Sequence, residues 1–218
     1  MRLDTLLDRL PAELRERVRI QGVREREGGA ADGDFVLYWM RASLRGHENP
    51  ALDAALAFAE QLGLPAFVYQ GLSERYPFAS DRHHTFILEA VIDIRRELDD
   101  RGVGYAFHLE RSGHRIPVLL ELAGRASLVV TEEMPVAPIA GWTRALAERI
   151  APLPVITVDA SCVVPMRLAV GRCQGRRFER AFAYRRATAD LRRERVRRPW
   201  ADRRAPTPVF QPDLPFEP

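Results

Sequence analysis

Short apolar runs alternate with longer amphipathic stretches through most of this chain. The first run, Phe35-Val36-Leu37-Tyr38-Trp39-Met40, is continuous and rich in aromatic and branched residues, which is typical of a strand buried on both faces. Further apolar runs predict strands near residues 65–70, 104–109, 127–131 and 154–158. The stretches between them predict helices near residues 50–62, 80–101, 115–123 and 139–150, and the Asn49-Pro50 pair is typical of a helix start.

Strands that alternate with helices form parallel sheets, because parallel neighbours need right-handed helical crossovers. We therefore predict an α/β fold, a doubly wound, five-stranded parallel sheet of Rossmann-like type with the strand order 3-2-1-4-5. The strand order reverses beside strand one, so a crevice opens between the carboxyl ends of strands one and four. Residues 39–49 and 131–138 would line this crevice, where a planar ligand would bind.

The flanking regions differ from the α/β region in composition. Leucines at near-helical spacing predict an N-terminal helix within residues 1–20, and a stretch rich in Gly and Asp at residues 27–34 predicts a linker. The Pro/Arg-rich end has low potential for regular structure and is either a linker or a length of chain wrapped over the domain. The predicted organisation is a helix and linker (1–33), an α/β domain (34–170), an Arg-rich helical segment (171–196) and a Pro/Arg-rich linker (197–218).

The loops that follow strands one and four carry the side chains that suit a ligand site. Trp39 and Met40 offer aromatic and polarisable surface at the end of the first strand. The guanidinium groups of Arg41 and Arg45 can stack on a ring or pair with an anionic tail. Two further side chains follow strand four at the same crevice. The candidate ligand contacts are Trp39, Met40, Arg41, Arg45, Glu132 and Met134.

Structural roles are alternatives for several of these residues. Side chains alternate along a strand, so Tyr38 and one of Trp39 or Met40 must face the packed layers, and we expect a core position for Tyr38. Arg45 can also pair with Glu48 across the loop without touching a ligand. Such exposed pairs contribute only about 0–1 kcal/mol.

Several common chemistries lack their motifs. The loop after the first strand has a single glycine, Gly46, and therefore neither a dinucleotide-binding nor a phosphate-loop pattern. No serine lies in a Gly-x-Ser-x-Gly elbow, and the histidines are not spaced as metal ligands. Cys162 and Cys173 form no Cys-x-x-Cys pair, so neither a disulfide framework nor a zinc site is indicated. We assign no catalytic residue and no metal ligand from the sequence.

Charge is distributed unevenly, and all 33 basic residues are arginine. Residues 172–204 hold 13 arginines against four acidic residues, whereas the whole chain has a formal net charge of +3. Such a segment is either a solvated helix face or a nucleic-acid-binding surface. The chain has no apolar run near the roughly 20 residues that a membrane span needs, and its start lacks the apolar centre of a signal peptide. A cytoplasmic location is the simplest expectation.

Four segments of the chain, in their order and spacing, resemble the corresponding segments of class II DNA photolyases. Tyr38-Trp39-Met40 with Arg45 and Glu48-Asn49-Pro50-Ala51-Leu52 is similar to the first strand and loop of that family. Tyr76-Pro77-Phe78 before a helix with Arg82, His83 and Phe86 resembles the passage after its second strand. Val129-Val130-Thr131 with Pro135, and Val158-Asp159-Ala160 with Val164-Pro165, resemble its last two strand ends. The resemblance covers roughly residues 30–185.

This resemblance implies a light-driven deoxyribodipyrimidine photolyase, a carbon-carbon lyase that repairs cyclobutane pyrimidine dimers in DNA. In that family the α/β domain holds an antenna chromophore, a deazaflavin or a folate. FAD and the flipped dimer are bound by a helical domain that follows. We prefer 8-hydroxydeazaflavin as the antenna, expect FAD only in the helical partner domain, and expect this chain alone to be inactive in repair.

Two alternatives remain open at this point. One is a stand-alone nucleotide-binding protein similar to universal stress proteins, which would bind ATP or AMP. The other is a noncatalytic photolyase remnant that binds no ligand in its crevice.

Overall fold

A mixed sheet forms the centre of the computed structural model, which describes residues 1–21, 29–75, 79–113, 115–172, 178–198, 200–206 and 208–217. Within these ranges the sheet has six strands: β1 (Val18–Gln21), β2 (Phe35–Met40), β3 (Ala66–Ser73), β4 (Gly104–Glu110), β5 (Ala126–Glu132) and β6 (Val155–Val158). Their order across the sheet is β1-β6-β5-β2-β3-β4. The strands β2 to β6 are parallel, and their order confirms the predicted 3-2-1-4-5 arrangement.

The edge strand β1 corrects the prediction of a five-stranded sheet. It pairs antiparallel with β6, with Val18 opposite Val158. The N-terminal helix is also shorter than predicted, since the chain forms only α1 (Leu3–Asp8) and α2 (Ala12–Arg15) before this strand. Pro11 precedes α2, and from Val18 onward apolar and polar residues alternate with the period of a strand. The leucines of both helices still face the core.

Seven helices follow within the described residues. They are α3 (Pro50–Leu62), α4 (Asp81–Asp100), α5 (Val118–Ala123), α6 (Ile139–Arg149), α7 (Met166–Arg172), α8 (Ala181–Ala187) and α9 (Ala189–Val196). The predicted start of α3 is confirmed, because the Asn49 side chain accepts hydrogen bonds from the backbone N–H groups of Ala51 and Leu52. Gly63 ends α3 with a left-handed φ of 68°. In the described part of the Arg-rich segment 171–196, the chain forms the end of α7 and the helices α8 and α9.

Two hydrophobic cores cover the two faces of the sheet. The first core lies under α3 and α4 and contains Val36, Tyr38 and Met40 together with the N-terminal leucines. The second core lies under α5 and α6 and contains Phe35 and Leu37, with Trp39 packed against it. The expected core position of Tyr38 is thus confirmed, and the pleat of β2 sends Met40 to the same side.

Residues 200–206 and 208–217 lie against the α/β domain rather than away from it. Trp200 packs on the first core, whereas Phe210, Leu214 and Phe216 pack on the second. An added Cβ at Gly104 would lie 1.8 Å from the carbonyl oxygen of Phe210. Glycine at the start of β4 therefore permits the close approach of this C-terminal segment.

Parts of several sequence predictions fall outside the described residues. These are residues 27–28 of the predicted linker, the Tyr76-Pro77-Phe78 segment, residues 173–177 of the Arg-rich segment, which include Cys173, and residues 199, 207 and 218 of the Pro/Arg-rich linker. In the described part of the chain no helix is both long and apolar enough to cross a membrane.

Candidate functional site

A buried carboxylate organises the loop that follows β2, the β2–α3 loop (residues 41–49). Glu132, the last residue of β5, is fully buried. Its Oε1 accepts a hydrogen bond from the Tyr38 hydroxyl at 2.7 Å. The same atom accepts the backbone N–H groups of Arg41 at 3.1 Å, Ala42 at 3.3 Å and Ser43 at 3.2 Å. Glu132 therefore fixes the backbone of the loop through hydrogen bonds and has no exposed surface for a ligand.

The Tyr38 hydroxyl connects this carboxylate to the start of α3. Burial, followed by the nearby charge of Glu132, raises the pKa of Tyr38 well above its usual value. The hydroxyl thus keeps the proton that it donates to Glu132. Asn49 Nδ2 donates in turn to the Tyr38 oxygen at 3.2 Å and to the carbonyl oxygens of Ser43 at 3.2 Å and Arg45 at 2.9 Å. The loop is fixed at both ends by side chains in the core.

Arg41 packs against Trp39 on the side of the second core. Its guanidinium carbon lies 4.2 Å from the centre of a Trp39 ring. Nε donates to Thr131 Oγ1 at 3.0 Å, and Nη2 donates to the Glu132 carbonyl oxygen at 2.9 Å. Burial lowers the pKa of Arg41, and the negative charge of Glu132 opposes that shift. This cation is held by the protein's own ring and oxygens, so Arg41 stacks on Trp39 and not on a ligand ring as the sequence suggested.

Met40 and Met134 differ in their access to the crevice. Met40 is fully buried in the first core, so the structure gives it a packing position and no surface on the crevice. Met134 lies half-buried in the β5–α6 loop, where its sulfur accepts a weak hydrogen bond from Ser161 at 3.9 Å. Met40 ends β2 and faces the first core, whereas Met134 lies in the loop beyond the end of β5, so of these two only Met134 lies near the open edge.

Arg45 lies on the opposite side of the loop from Arg41. Its Nη2 donates to the Glu48 carbonyl oxygen at 3.0 Å and to the Ala160 carbonyl oxygen at 3.3 Å. The expected Arg45–Glu48 contact is thus made through a main-chain oxygen. Glu48 itself adopts a positive φ of 44°. Arg45 connects the carboxyl ends of β2 and β6 across the edge of the sheet.

A cavity of about 710 Å³ opens beside Arg45. It lies between the β2–α3 loop, the loop after β6 and the segment around Trp200. Its wall includes Arg17, Arg45, Glu48, Cys162, Arg195 and Trp200. Small-molecule sites typically occupy roughly 300–1,000 Å³, with apolar surface and a few placed polar groups. The volume and the mixed wall suit a ligand the size of a tricyclic chromophore.

Arg17 joins the N-terminal region to the floor of this cavity. Its Nη1 donates to the carbonyl oxygens of Asp159 at 3.0 Å and Cys162 at 2.8 Å, and its Nη2 donates to Val163 at 3.1 Å. Its Nε is buried and has no hydrogen-bond partner. Burial lowers the pKa of Arg17, and the charge of Asp159 opposes that shift. Because this nitrogen has almost no exposed surface, it is an unsatisfied buried donor rather than a contact for a ligand in the cavity.

Two further interactions hold the outer wall. Asp53 of α3 is almost fully buried and accepts hydrogen bonds from Trp200 Nε1, Arg101 Nη2 and the backbone N–H of Arg203. Arg195 of α9 forms a two-pronged ion pair with Glu16, with oxygen distances of 2.6 and 3.0 Å. These contacts place the indole of Trp200 and the end of α9 over the cavity.

Arg17, Asp53 and Trp200 were not predicted as site residues from the sequence. Each acts through a partner far along the chain, and none lies in a local motif. Cys162 also lies in the cavity wall. Burial raises its pKa, and the charge of Asp159 adds to that shift, so the thiol stays protonated at neutral pH. Within the described residues, His, Cys, Asp and Glu form no group of three that could hold a metal ion.

Comparison with known proteins finds a matching family model and a related protein of known name. A family model described as DNA photolyase matches residues 36–200. The deoxyribodipyrimidine photo-lyase of Methanothermobacter thermautotrophicus (strain Delta H) is 32% identical over 154 residues, which make up 70% of this chain and 34% of the relative. The chain thus spans about a third of the length of that protein.

Solved structures of universal stress proteins share part of the fold. A family member from Burkholderia pseudomallei has 23% identity and a TM-score of 0.36, and it covers 60% of this chain and 99% of its own. A second protein, from Archaeoglobus fulgidus, has 21% identity and a TM-score of 0.35, and it covers 57% of this chain and 98% of its own. These scores are too low to bear on a ligand.

Proposed function

Because the chain belongs to the DNA photolyase family, we propose that it is the α/β, antenna-binding domain of a class II deoxyribodipyrimidine photolyase. The complete enzyme would repair cyclobutane pyrimidine dimers in DNA with light. Excitation collected by an antenna in this domain would pass to FAD in a helical domain of the complete enzyme. The chain alone would bind the antenna and would not repair DNA.

The cavity beside Trp200 is the observation that carries this proposal. It has the volume for a flat ring system, an indole in its wall and two arginines at its floor and rim. We favour 8-hydroxydeazaflavin over a folate, because its rigid tricycle buries its rings at low entropic cost.

The predicted contact residues take different parts in this proposal. Arg45 lines the cavity and would contact the ligand directly. Glu132, Arg41 and Trp39 would act one step away, because they fix the β2–α3 loop from which Arg45 projects. Met134 lies on the same edge of the sheet, next to Ser161 of the cavity wall. Met40 supports β2 from the core.

Two partners belong to the proposal. An exposed apolar stripe on and before α7, formed by Val163, Met166 and Val170, lies next to the cavity and suits contact with the helical FAD-binding domain. The exposed arginines of α8 and α9, within the Arg-rich segment 172–204, suit contact with the DNA backbone. Arg172, Arg195 and Arg198 are engaged in ion pairs, so they are the less available part of that surface.

The test is an equilibrium titration of the purified chain with 8-hydroxydeazaflavin, followed by absorption and fluorescence. A folate, FAD and ATP serve as comparison ligands under the same conditions. We expect one-to-one binding of the deazaflavin and no saturable binding of ATP or FAD. Preferential binding of ATP would contradict the proposal and favour a nucleotide-binding protein, whereas binding of none of the four would favour a noncatalytic remnant.

A further inference from the structure

At the start of the β2–α3 loop, the first βα turn of the parallel sheet, three backbone N–H groups donate to the side chain of Glu132. In doubly wound sheets the N–H groups of this turn commonly hold the phosphates of a nucleotide. Here the successive N–H groups of Arg41, Ala42 and Ser43 lie 3.1, 3.3 and 3.2 Å from Oε1 of Glu132. The carboxylate therefore occupies the position at which this turn would otherwise receive an external anion.

The groups around the Glu132 carboxylate together form an anion-binding site. The Tyr38 hydroxyl donates to the same oxygen at 2.7 Å. Oε2 lies 3.2 Å from the backbone nitrogen of Arg41 and 3.9 Å from its Nε. Four donors and one cation are thus arranged around a side chain with no exposed surface. A ligand phosphate would find these N–H groups already engaged and a like charge beside it.

We propose that Glu132 is a resident anion that fills the phosphate-binding position of this turn, and that it makes the crevice select against phosphate-bearing ligands. This inference rests on the proposed function only in taking the carboxyl edge of the sheet as the ligand-binding edge. It assigns Glu132 as a specificity-determining residue that acts through the loop. It also gives a physical reason for expecting no nucleotide at the β2 turn.

Removal of the side chain tests the assignment, because propionate has the same carbon and oxygen atoms as the deleted group. In Glu132→Gly, propionate should bind in the vacated site and raise the melting temperature saturably, by about 3–6 °C at ten times its Kd. Orthophosphate should give a smaller saturable rise in the same variant. The wild type should show neither response. Glu133→Gly is the matched control, since its carboxylate pairs with Arg19 and is adjacent in sequence.

A merely structural Glu132 would also be rescued by propionate, so the saturable response of Glu132→Gly to orthophosphate is the distinguishing result, and its absence overturns the inference. Glu132→Gln fills the space without charge, so it should be destabilised and should gain nothing from propionate. If Glu132→Gly does not fold alone, its refolding yield with propionate, measured against equal chloride, replaces the melting temperature. If neither the melting temperature nor the refolding yield of Glu132→Gly changes with propionate, the inference is overturned. Saturable binding of orthophosphate by the wild type, detected by ³¹P line broadening, also overturns it.

These outcomes are separate from those of the proposed function. Failure of the wild type to bind 8-hydroxydeazaflavin would contradict the antenna proposal and would leave the anion response of Glu132→Gly unchanged. Binding of the deazaflavin without any anion response in that variant would support the antenna proposal and reject the role of Glu132.

Discussion

The Trp200 indole donates a hydrogen bond to the carboxylate of Asp53, which lies 147 residues earlier in the chain. Arg101 donates to the same carboxylate from the end of α4. This arrangement joins the first helix after β2, the end of α4 and the C-terminal segment at one buried point. The Asp53 carboxylate, which belongs to no recognisable sequence motif, thus holds Trp200 in the wall of the cavity.

Replacement of Asp53 should therefore be costly. In Asp53→Ala the Arg101 guanidinium loses a buried acidic partner, and breaking a buried ion pair from one side typically costs about 3–5 kcal/mol. Urea denaturation would measure the change in the free energy of unfolding. Asp99→Ala, at an exposed position on α4, is the control and should change that free energy by no more than about 0.5 kcal/mol. Equal effects of the two substitutions would contradict the role of Asp53.

Tyr38 should contribute to stability in a pH-dependent way. Loss of its hydroxyl in Tyr38→Phe removes a donor to buried Glu132 and should cost about 1–3 kcal/mol at pH 7. The pKa of Tyr38 is raised in the folded state, so the folded chain holds this proton more tightly than the unfolded chain. Its contribution is complete below the unfolded pKa near 10 and declines as the pH rises toward the folded pKa.

Urea unfolding of Tyr38→Phe and wild type between pH 7 and 11 would show this directly. The wild type should lose more stability per pH unit above pH 10 than the variant does, by at most about 1.4 kcal/mol per unit. If the difference in the free energy of unfolding between the two proteins stays constant from pH 7 to 11, the Tyr38 hydroxyl does not have a raised pKa in the folded state.

The close approach of the C-terminal segment to β4 should depend on Gly104. A methyl group in Gly104→Ala would collide with the Phe210 carbonyl oxygen, and overpacking of this kind costs about 1–3 kcal/mol. We expect the segment around Phe210 to exchange its amide hydrogens faster and to be cleaved faster by a protease. Gly124→Ala is the matched control, because the nearest atoms to its added methyl lie at an ordinary 3.5 Å. Unchanged protection in Gly104→Ala would contradict the packing of this segment.

DNA contact by the exposed face of α8 should appear in the salt dependence of binding. If Arg185 and Arg186 each neutralise one phosphate, replacing both with alanine should reduce the slope of log K against log salt by about 1.8. Fluorescence anisotropy with a short duplex at several salt concentrations measures this slope. The control replaces two exposed arginines of α6, Arg144 and Arg149. Equal slopes for both double variants and wild type would show that the α8 arginines do not contact DNA.

The sequence predicted the parallel sheet, its strand order and the cap at Asn49, because these depend on local periodicity and on general rules of chain connection. It did not predict β1, since four residues of alternating polarity beside amphipathic helices give a weak signal. The loop after β2 was correctly placed, yet the role of Glu132 as its internal acceptor depends on distances between two strands. The cavity wall was missed because Arg17, Asp53 and Trp200 meet only when both ends of the chain fold onto the sheet.

The dissociation constant of 8-hydroxydeazaflavin for wild type, Trp200→Phe and Trp142→Phe is the measurement that decides whether the cavity is the antenna site. Trp142 is the matched control, because it lies exposed on α6 and away from the cavity wall. We expect one-to-one binding to the wild type, about tenfold weaker binding to Trp200→Phe because stacking and wall contacts are lost, and unchanged binding to Trp142→Phe. Equal affinity for all three proteins, or no binding to the wild type, would contradict the assignment of this cavity.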